Sequence, residues 1–557
     1  MSASRVLVIG GYGVFGGRLT RRLVREPGLD VLVAGRSLAR AKAHCDRFGG
    51  TPVELDTSGN LSAALRALSP SIVIDAAGPF QAYGADKYRV ALAAIAAGAH
   101  CLDLADDPAF VAGIDDCDQA ARAAGVAVIS GCSSVPAISS AAVEALRDGL
   151  LAIDSIEAAI MPGNRAPRGL SVMRAILAQV GRPMQIWRGG QWQRATGWGQ
   201  TWLLQPAVAG KAPLGRRPVS LIGAPDLLIF PRVYGARTVS FAAGLELGLM
   251  HHGLRVLSWL VRRGVVRDLT AWAPWLKWIA DRLEPFGSDR GGMVVKVIGR
   301  RSDRAIVERC WTLIAEAGDG PEIPATPALL MVRKLLLGTV EPGARPCVGA
   351  LSLDDVADGL RGYAIAMERD ERRLTPLFEE ALGAEFHVLP TALQRLHDVA
   401  AVEVFEGRSS VARGDGILAR LLGWAMGFPA ATPDIGVRVE MQRRGDTEVW
   451  RRTFGSRQFQ STLSLSSKGR EGEVWERFGV LSFRIGLTVA ANALGYPVTA
   501  GRAFGFVPLP RWLLPRSDTR ETVDEHGRAC FDVAISHPLA GDIVHYRGWL
   551  VPAGGSA

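Results

Sequence analysis

The chain has 557 residues, and 48% of them are hydrophobic, which supports large buried cores and argues against disorder. Its formal net charge is +9, but only seven of the 64 basic residues are Lys, so the Arg excess indicates compositional bias rather than a nucleic-acid surface. No uninterrupted apolar run reaches the roughly 18 residues of a membrane span. We expect about three or four domains and no nucleic-acid partner.

The seven Cys residues include no CxxC pair, which is typical of reduced thiols rather than of a disulfide framework or a zinc site. The sequence also lacks an HExxH motif, so we expect no bound metal. The first apolar run begins close to Met1, so we expect no signal peptide and a cytoplasmic location.

The first predicted element is an apolar strand, Val6–Ile9, and a helical pattern containing Leu19 and Leu23 follows it. Between them lies a GxGxxG turn, Gly11-Tyr12-Gly13-Val14-Phe15-Gly16. In such a unit the first Gly allows a tight turn, the second lets the backbone approach phosphate oxygens, and the third lets helix and strand pack closely. The pattern predicts the pyrophosphate corner of a dinucleotide-binding fold, and the alternative is a purely structural turn.

The next strand, Asp30–Ala34, indicates which dinucleotide binds, because it ends at Gly35-Arg36-Ser37. NAD sites place a carboxylate near this position to bind the ribose 2′-hydroxyl, whereas an Arg accommodates the 2′-phosphate of NADP. Arg36, with the Ser37 hydroxyl as an added donor, therefore predicts NADP(H). The alternative is that Arg36 is a solvated residue at a helix start.

Strand and helix continue to alternate up to residue 150. This alternation predicts an α/β domain with a doubly wound parallel sheet of the Rossmann type over residues 1–150. Ligands of such sheets bind at the carboxyl ends of the strands, where the strand order reverses. The further predicted strands are Pro52–Leu55, Ile72–Ala76, Cys101–Leu104 and Val126–Ser130, and the helices are Asn60–Leu68, Asp86–Ala97 and Asp115–Ala124.

Residues 151–370 predict a mixed α+β domain that holds the substrate. Hairpin turns are expected within Trp187–Trp192 and at Arg300–Asp303. The predicted strands are Ser155–Met161, Leu227–Phe230, Arg237–Phe241, Val294–Gly299 and Ala305–Leu313. The predicted helices are Leu170–Val180, Leu247–Arg262, Asp268–Leu283, Thr326–Leu337 and Leu353–Met367, the last two returning toward the first domain.

Four Trp residues, at positions 259, 272, 275 and 278, lie among Leu, Val, Arg and Lys, and the segment Ile417–Phe428 is similar. Amphipathic basic helices with Trp and Leu can lie in a membrane interface, so peripheral membrane contact is one interpretation. The other is that the Trp face is buried in a core or in a subunit interface, such as that of a homodimer.

Residues 374–552 predict a separate C-terminal domain. After a helical start at Leu374–Leu382, polar and apolar residues alternate with period two between short turns, which predicts an antiparallel sheet, such as a curved half-barrel. The alternating segments are Val437–Met441, Val449–Phe454, Phe459–Leu463, Leu481–Leu487, Cys530–Ile535 and Val544–Leu550.

Several motifs of the first domain resemble the saccharopine dehydrogenase-like family. The Ala-Gly-Pro-Phe loop after a buried strand is the most specific of them. In order they are Gly10–Gly16, Ala34–Ser37, Asp75–Phe80 with Tyr83-Gly84, His100–Leu104 and Gly131–Pro136. Residues 151–370 resemble the family's second domain more loosely, and residues 374–552 resemble an uncharacterised domain appended to bacterial members. The family includes saccharopine reductases, lipid-type oxidoreductases and enoyl reductases, so the resemblance implies a Rossmann fold and an NADP-linked activity without fixing the substrate.

Three further cofactor contacts are expected in the Ala77-Gly78-Pro79 loop, where Gly78 permits close approach to a ribose or nicotinamide and Pro79 stiffens the turn. The alternative is an ordinary strand-to-helix turn. Asp56 ends the preceding strand and could reach the adenine side.

Two residues are catalytic candidates. Tyr83 and Lys87 have the Tyr-x-x-x-Lys spacing that on a helix lets Lys lower the Tyr pKa, and Asp103 would face the same crevice. The alternatives are that Tyr83 belongs to the family loop alone and that Asp103 caps a loop.

The sequence thus predicts an NADP(H)-dependent oxidoreductase that transfers hydride to or from a carbonyl, imine or enoyl group. A small, apolar, lipid-like substrate fits the aromatic middle domain better than a multi-carboxylate ligand. Two alternatives stay open: a non-catalytic NADP(H) sensor whose C-terminal domain binds an apolar ligand, and a saccharopine reductase of lysine metabolism.

Overall fold

Three β-sheets, named A, B and C in chain order, organise the protein in a computed structural model, which describes residues 3–466, 472–490 and 492–553. Sheets A and B fall in one compact unit, which comprises Met1–Trp187, Trp192–Val297 and Glu308–Glu371. Sheet C falls in a second unit, which begins at Arg372 and also includes Arg188–Gln191 and Ile298–Val307.

Sheet A has seven parallel strands. They are β1 Ser4–Ile9, β2 Leu29–Gly35, β3 Thr51–Glu54, β4 Ile72–Asp75, β5 His100–Asp103, β6 Ala127–Ser130 and β15 Gly343–Pro346. Their spatial order is β15-β6-β5-β4-β1-β2-β3, so the strand order reverses between β1 and β4. Central strands are buried on both faces, as in β1, where Val6, Leu7 and Val8 are fully buried. The predicted doubly wound Rossmann-type sheet is confirmed.

Helices cover sheet A and connect its strands. They are α1 Gly16–Leu23, α2 Leu38–Phe48, α3 Leu61–Leu68, α4 Arg89–Ala96, α5 Pro108–Ala112, α6 Asp118–Ala123, α7 Ser139–Leu146, α12 Thr326–Leu336 and α13 Leu353–Gly359. Helix α12, which lies within the residues predicted to return to the first domain, packs against α1, and Arg333 on α12 forms an ion pair with Glu26.

Sheet B is mixed: β12 pairs in parallel with β7 and antiparallel with β11. Its strands are β7 Ala152–Met161, β8 Pro183–Arg188, β9 Gln191–Thr196, β10 Thr201–Leu204, β11 Arg217–Leu221, β12 Thr238–Gly244, β13 Gly291–Arg300, β14 Ile306–Ala315 and β16 Ile365–Leu374. The helices of this region are α8 Leu170–Gln179, α9 Pro225–Tyr234, α10 Gly248–Arg262 and α11 Ala273–Arg282. Both predicted hairpins occur, one between β8 and β9 and the other between β13 and β14.

Two element predictions for this region were wrong. Leu227–Phe230 is not a strand but part of helix α9, which has Pro225 in its first turn and ends at Gly235 in a left-handed conformation. The helix predicted over Leu353–Met367 ends at Gly359, and residues from Ile365 onward form β16. A short apolar run is compatible with a helix or a strand, so the flanking Pro and Gly residues determine which of the two forms.

Sheet C contains thirteen described strands in antiparallel pairs, which confirms the antiparallel C-terminal domain. The strands are β17 Val402–Arg413, β18 Thr432–Arg444, β19 Thr447–Phe454, β20 Arg457–Leu465, β21 Glu473–Phe478, β22 Leu481–Gly486, β23 Thr488–Ala490, β24 Ala493–Gly495, β25 Val498–Ala503, β26 Val507–Pro508, β27 Arg516–Val523, β28 Ala529–His537 and β29 Gly541–Pro552. The helices are α14 Leu377–Leu382, α15 Thr391–His397 and α16 Ile417–Ala425.

No helix among the described residues combines the length and the apolar character needed to cross a bilayer. The four Trp residues of the region 259–278 are each between 39% and 58% exposed. Leu254, Leu257 and Val261 of α10 and Leu276 of α11 instead pack into the apolar cluster that includes Leu177 of α8. The interpretation that these Trp side chains are buried in a core is therefore wrong.

Candidate functional site

The turn between β1 and α1 is packed too closely for side chains at two of its glycines. A Cβ atom on Gly16 would lie 2.2 Å from the carbonyl oxygen of Gly10, and one on Gly11 would lie 2.8 Å from that of Val8. A Cβ atom on Gly13 would meet only the Gly10 oxygen, at 3.1 Å, and otherwise open space. Gly11 and Gly16 thus serve packing, whereas Gly13 leaves an exposed cradle beside the helix N-terminus.

The same turn presents backbone donors. In the part of the chain that the structure describes, the N–H groups of Val14, Phe15 and Gly16 donate no hydrogen bond. They lie at the start of α1, where the helix dipole and unpaired N–H groups favour an anion. An anionic pyrophosphate therefore fits this cradle in both shape and charge.

The end of β2 carries the predicted 2′-phosphate site. Arg36 is exposed and forms no salt bridge with any described residue. The Ser37 N–H donates to the Tyr12 hydroxyl at 3.1 Å, and the Ser37 hydroxyl oxygen accepts from the Arg40 N–H at 3.4 Å, which caps α2. The Arg40 guanidinium covers the Tyr12 ring at 4.9 Å. Tyr12 thus joins the glycine turn to the end of β2. The exposed Arg36 guanidinium lies at this strand end and could bind a phosphate group.

Asp56, beyond the end of β3, is exposed and accepts a hydrogen bond from the Ser58 N–H at 2.9 Å. The hydrogen bonds from Ser58, with smaller effects of the Arg36 and Arg89 charges, hold the Asp56 pKa below its usual value. The carboxylate is therefore ionised near Arg36 and faces solvent.

The loop after β4 lies directly against the glycine turn. A Cβ atom on Gly10 would meet Ala76 and Ala77 backbone atoms at 2.7–2.8 Å, and one on Gly16 would meet the Ala76 Cβ at 3.2 Å. A Cβ atom on Gly78 would be in ordinary contact with Phe80 at 3.7 Å, and Ala77 is exposed. The predicted cofactor residues Ala77, Gly78 and Pro79 are thus close to Gly11–Gly16.

Asp75, which the sequence analysis did not single out, organises this loop. It is 2% exposed, and its carboxylate accepts hydrogen bonds from the Ala77 N–H at 3.0 Å and from the Tyr83 hydroxyl at 3.0–3.1 Å. Burial raises the Asp75 pKa, with the two hydrogen bonds opposing it. The sequence did contain a signal for Asp75, because a carboxylate directly follows the apolar run Ile72–Ile74.

The predicted pairing of Tyr83 with Lys87 is wrong. Burial and the adjacent Asp75 carboxylate raise the Tyr83 pKa, whereas a Lys pair would lower it. The Lys87 ammonium instead donates to the Ala109 carbonyl and lies 4.6 Å from the Tyr88 ring centre. The cation beside Tyr83 is Arg89, whose guanidinium lies 4.7 Å from the ring centre. Tyr83 follows a single 3₁₀ turn, so the helical spacing does not apply.

Asp103 ends β5 next to this pair. It is 5% exposed, and its Oδ1 accepts from the N–H groups of Ala105 at 3.0 Å and Gly131 at 2.7 Å. Burial raises its pKa to about 7, and the backbone hydrogen bonds oppose that rise. The group can therefore exchange a proton near neutral pH, while it also fastens the end of β5 to the loop after β6.

The segment after β7 reaches the same edge of sheet A. A Cβ atom on Gly169, the residue before α8, would lie 3.5 Å from the Val14 side chain. Helix α8 in turn packs against α11, and Leu170, Met173 and Ile176 of α8 contribute to the apolar cluster between them. An apolar surface thus begins beside the glycine turn.

Family comparisons agree with this geometry. Residues 6–129 match the model of the saccharopine dehydrogenase NADP binding domain, and residues 389–550 match that of a domain of unknown function, DUF4166. No curated protein sequence matches the chain.

Similar solved structures include saccharopine dehydrogenase (L-Glu forming) from Saccharomyces cerevisiae, with a TM-score of 0.50 and 15% identity over 66% of this chain and 100% of that one. GenD2 from gentamicin A biosynthesis, solved with NAD, has a TM-score of 0.32 and 15% identity over 67% of this chain and 97% of its own. The 3-ketoreductase KijD10 from Actinomadura kijaniata, solved with NADP, has a TM-score of 0.30 and 15% identity over 62% of this chain and 99% of its own.

The first of these supports the fold of sheets A and B. Together with the family matches, it assigns the N-terminal region to a nicotinamide-cofactor fold. Residues 6–129 are thus similar to the saccharopine dehydrogenase NADP binding domain, and residues 389–550 are similar to the DUF4166 domain.

Proposed function

We propose that this protein is an NADP(H)-dependent oxidoreductase that transfers hydride to or from a carbonyl, imine or enoyl group of an apolar, lipid-like substrate. The observation that carries the proposal is the exposed Gly13 cradle beside the unpaired N–H groups of α1. This cradle lies where the strand order of sheet A reverses, which is the ligand position in doubly wound sheets.

Residues Gly11–Gly16 would hold the pyrophosphate, and Arg36 and Ser37 would hold the 2′-phosphate. Asp56 would lie on the adenine side, and Ala77–Pro79 would line the ribose and nicotinamide. The bound cofactor supplies the hydride chemistry, so the chain has to orient the substrate, exclude water and manage one proton. NADP(H) is preferred over NAD(H) because Arg36 is an exposed guanidinium without an ion-pair partner among the described residues.

Asp103 would hold the proton, because its buried carboxyl has a pKa of about 7. Tyr83 would be a second polar group toward the substrate, with its hydroxyl proton directed at Asp75. Asp75 would be a positioning residue, since it fixes both the Tyr83 hydroxyl and the Ala77 N–H.

An apolar substrate is favoured by the surface that continues from the glycine turn through α8 to α11. Burying a polyanionic amino acid against Leu170, Met173 and Ile176 would leave its charges without partners, at a large desolvation cost. A long acyl or isoprenoid-like group would instead gain from burial there.

The test is a titration of the full chain with NADPH and NADH, followed by turnover assays with ketone, imine and enoyl substrates carrying long chains, and with saccharopine. We expect tighter NADPH binding and turnover of an apolar substrate. Efficient turnover of saccharopine would favour the saccharopine reductase alternative. NADPH binding without turnover of any class would favour the sensor alternative.

A further inference from the structure

Sheet C encloses a cavity of about 400 Å³, a volume within the range of ~300–1,000 Å³ usual for small-molecule sites. Its wall consists of the inward-facing residues of the alternating strands. Examples are Val439 and Met441 on β18, Phe454 on β19, Phe531 on β28 and Ile543 on β29, all less than a tenth exposed. The lining is mainly apolar, so water gains little there and an apolar ligand gains from entering.

Near helix α15, whose Leu396 lines the cavity, the wall carries a small polar cluster. The Tyr496 hydroxyl donates to Glu521 at 2.7 Å, and the His397 Nε2 lies 2.6 Å from the same carboxylate. Arg452 forms an ion pair with Glu476 at 3.2 Å and donates to the Ser461 hydroxyl at 2.8 Å. Tyr496, Glu521, Arg452 and Glu476 all line the cavity.

The charges of this cluster are already paired, and they include two carboxylates and one guanidinium. An anionic ligand group would face both Glu476 and Glu521, and a cationic group would face Arg452. Either charge would be desolvated without a free partner, which is costly in a buried site. The cluster therefore suits an uncharged polar group, such as a hydroxyl or carbonyl, that can share its hydrogen bonds.

The opposite end of sheet C is apolar and exposed. Ten of the eleven large hydrophobic residues that are exposed in the described part of the chain after residue 372 lie there, in α16 and in the turns at that end. They are Ile417, Leu418, Leu421, Trp424, Val480, Phe504, Phe506, Val507, Trp512 and Leu539. The remaining one, Val388, precedes α15, which packs against β27 and β28.

Several of these exposed residues are sequence neighbours of residues that line the cavity. Leu422 and Met426 line the cavity while their neighbours Leu421 and Trp424 face outward. Leu513 also lines the cavity and is adjacent to the exposed Trp512. Hydrogen bonds hold the turns together, because the Phe504 N–H donates to the Val480 carbonyl at 2.7 Å and the His537 ring lies 3.3 Å from the Leu513 carbonyl.

We propose that sheet C binds one long apolar molecule with an uncharged polar end, which enters from a lipid bilayer through the exposed apolar end of the sheet. The ligand's polar end would reach the cluster of Tyr496, Glu521 and Arg452. The apolar end, with Trp424 and Trp512 and the exposed cation Arg511, has the composition of a surface that lies in a membrane interface. Contiguous exposed apolar surface of this kind marks an interaction site. This inference does not depend on the proposed oxidoreductase activity.

Binding of a long apolar ligand with an uncharged polar end is tested with the full chain and two fluorescent probes, pyrene-labelled dodecanol and pyrene-labelled dodecanoate. We expect saturable binding of one dodecanol probe per chain, at least about tenfold tighter than that of the dodecanoate probe because a charged end lacks a partner. Val439→Trp should abolish binding by filling the cavity, and Val533→Phe, nearer the exposed apolar end of the sheet, should weaken it. Gln458→Trp, on the outer face of β20, is the matched control.

Thermal melting and the circular dichroism spectrum of each variant, compared with those of the original chain, report whether the variant is folded. If the dodecanol probe does not bind, or if it binds both folded cavity variants as it binds the original chain, the ligand site is refuted. Equal affinity for the dodecanoate probe would refute the uncharged polar end.

Binding of the apolar end of sheet C to a lipid bilayer is tested by sedimentation of the protein with vesicles of phosphatidylcholine and phosphatidylglycerol. We expect the full chain to sediment with the vesicles, and the double variant Phe506→Ser with Trp512→Ser to lose at least half of this binding while still binding the dodecanol probe in solution. Val388→Ser is the control because it removes an exposed apolar side chain away from the cavity entrance. Unchanged sedimentation of the double variant would refute the bilayer as the source of the ligand.

Discussion

Asp75 and Asp103 are direct register partners on the neighbouring parallel strands β4 and β5, and both carboxyl groups are buried. Burial raises the pKa of each, and the charge of Asp75 raises that of Asp103 further. Two adjacent buried carboxyls disfavour double ionisation, so the pair tends to retain a proton. A proton is therefore stored at the strand ends where the proposed cofactor and substrate would meet.

Asp103→Asn should reduce the rate of turnover by about 10²–10⁴-fold, the usual effect of removing a general acid or base. The Asn oxygen can still accept from the Ala105 and Gly131 N–H groups, so the fold should persist. The measurement is the pH profile of kcat/KM, in which the original chain should show a pKa near 7 that the variant lacks. An unchanged profile in a folded variant would leave Asp103 a purely structural residue.

The same residue should make stability depend on pH. The folded-state pKa of about 7 exceeds the usual Asp value of about 3.9, so the folded protein binds a proton that the unfolded chain releases. This contribution is complete below about pH 4 and is lost as pH rises toward 7. Relative to Asp103→Asn, the free energy of unfolding should fall by ~2–3 kcal/mol between pH 5 and pH 8. Urea unfolding of both proteins at each pH provides the comparison.

Tyr83→Phe should lower turnover more than Lys87→Met does. Tyr83 donates to Asp75 inside the site, whereas the Lys87 ammonium contacts the Ala109 carbonyl and the Tyr88 ring. Loss of the Tyr83 hydroxyl should also leave Asp75 with only the Ala77 N–H and reduce stability by ~1–3 kcal/mol. Steady-state kinetics and urea unfolding of both variants test this, and an equal loss of activity in Lys87→Met would contradict it.

Gly13→Val should abolish NADPH binding without unfolding the protein. Its side chain would project into the exposed cradle, with the Gly10 oxygen at 3.1 Å as the one close neighbour of the added Cβ. Gly16→Val is the contrasting variant, because its Cβ would overlap the Gly10 oxygen at 2.2 Å and should destabilise the fold itself. Isothermal titration with NADPH and thermal melting separate the two effects. Normal NADPH binding by a folded Gly13→Val protein would show that the turn is only structural.

Arg36→Asp should reverse the cofactor preference from NADPH to NADH, since a carboxylate would repel the 2′-phosphate and accept from the 2′-hydroxyl. Arg66→Asp is the matched control, because it makes the same charge change at an exposed position in α3. Dissociation constants for both cofactors are measured for the three proteins. If the original chain bound NADH as tightly as NADPH, the role given to Arg36 would be wrong.

We propose domains at residues 1–150, 151–370 and 374–552, of which the last should be dispensable for cofactor binding. A chain truncated after residue 376, so that β16 stays complete, should be soluble and bind NADPH with unchanged affinity. The comparison is the NADPH dissociation constant of the full and truncated chains. Aggregation of the truncated chain would indicate that its folding requires sheet C.

Six of the seven strands of sheet A were predictable because each is a short apolar run followed by a turn, as in Val6–Ile9 and Ile72–Asp75. The same holds for β18, where Val437, Val439 and Met441 alternate with polar residues and face inward. The strand β15 was not predictable, because Gly-Ala-Arg-Pro has no hydrophobic periodicity and is a strand only through its pairing with β6.

Within the site, the sequence located Tyr83 and Asp103 but not what surrounds them. The Asp75–Tyr83 hydrogen bond joins two residues across a loop. Asp103 accepts a hydrogen bond from the N–H group of Gly131, which directly follows the next strand, β6. Such partners depend on the three-dimensional path of the loops. The spacing of Tyr83 and Lys87 suggested a pair that the non-helical backbone at Tyr83 does not form.

The late position of β15 has a consequence for synthesis. The elements that form the proposed cofactor site precede residue 132, whereas the strand that covers β6 begins at Gly343. At ~5–20 residues per second, the ribosome needs roughly 10–40 s to make the intervening chain. During that time the edge of β6 is an unpaired strand, a surface prone to wrong pairing. The nascent protein could thus acquire its cofactor cradle well before its sheet is closed, and bound nucleotide would then stabilise the incomplete sheet while β15 is still being made.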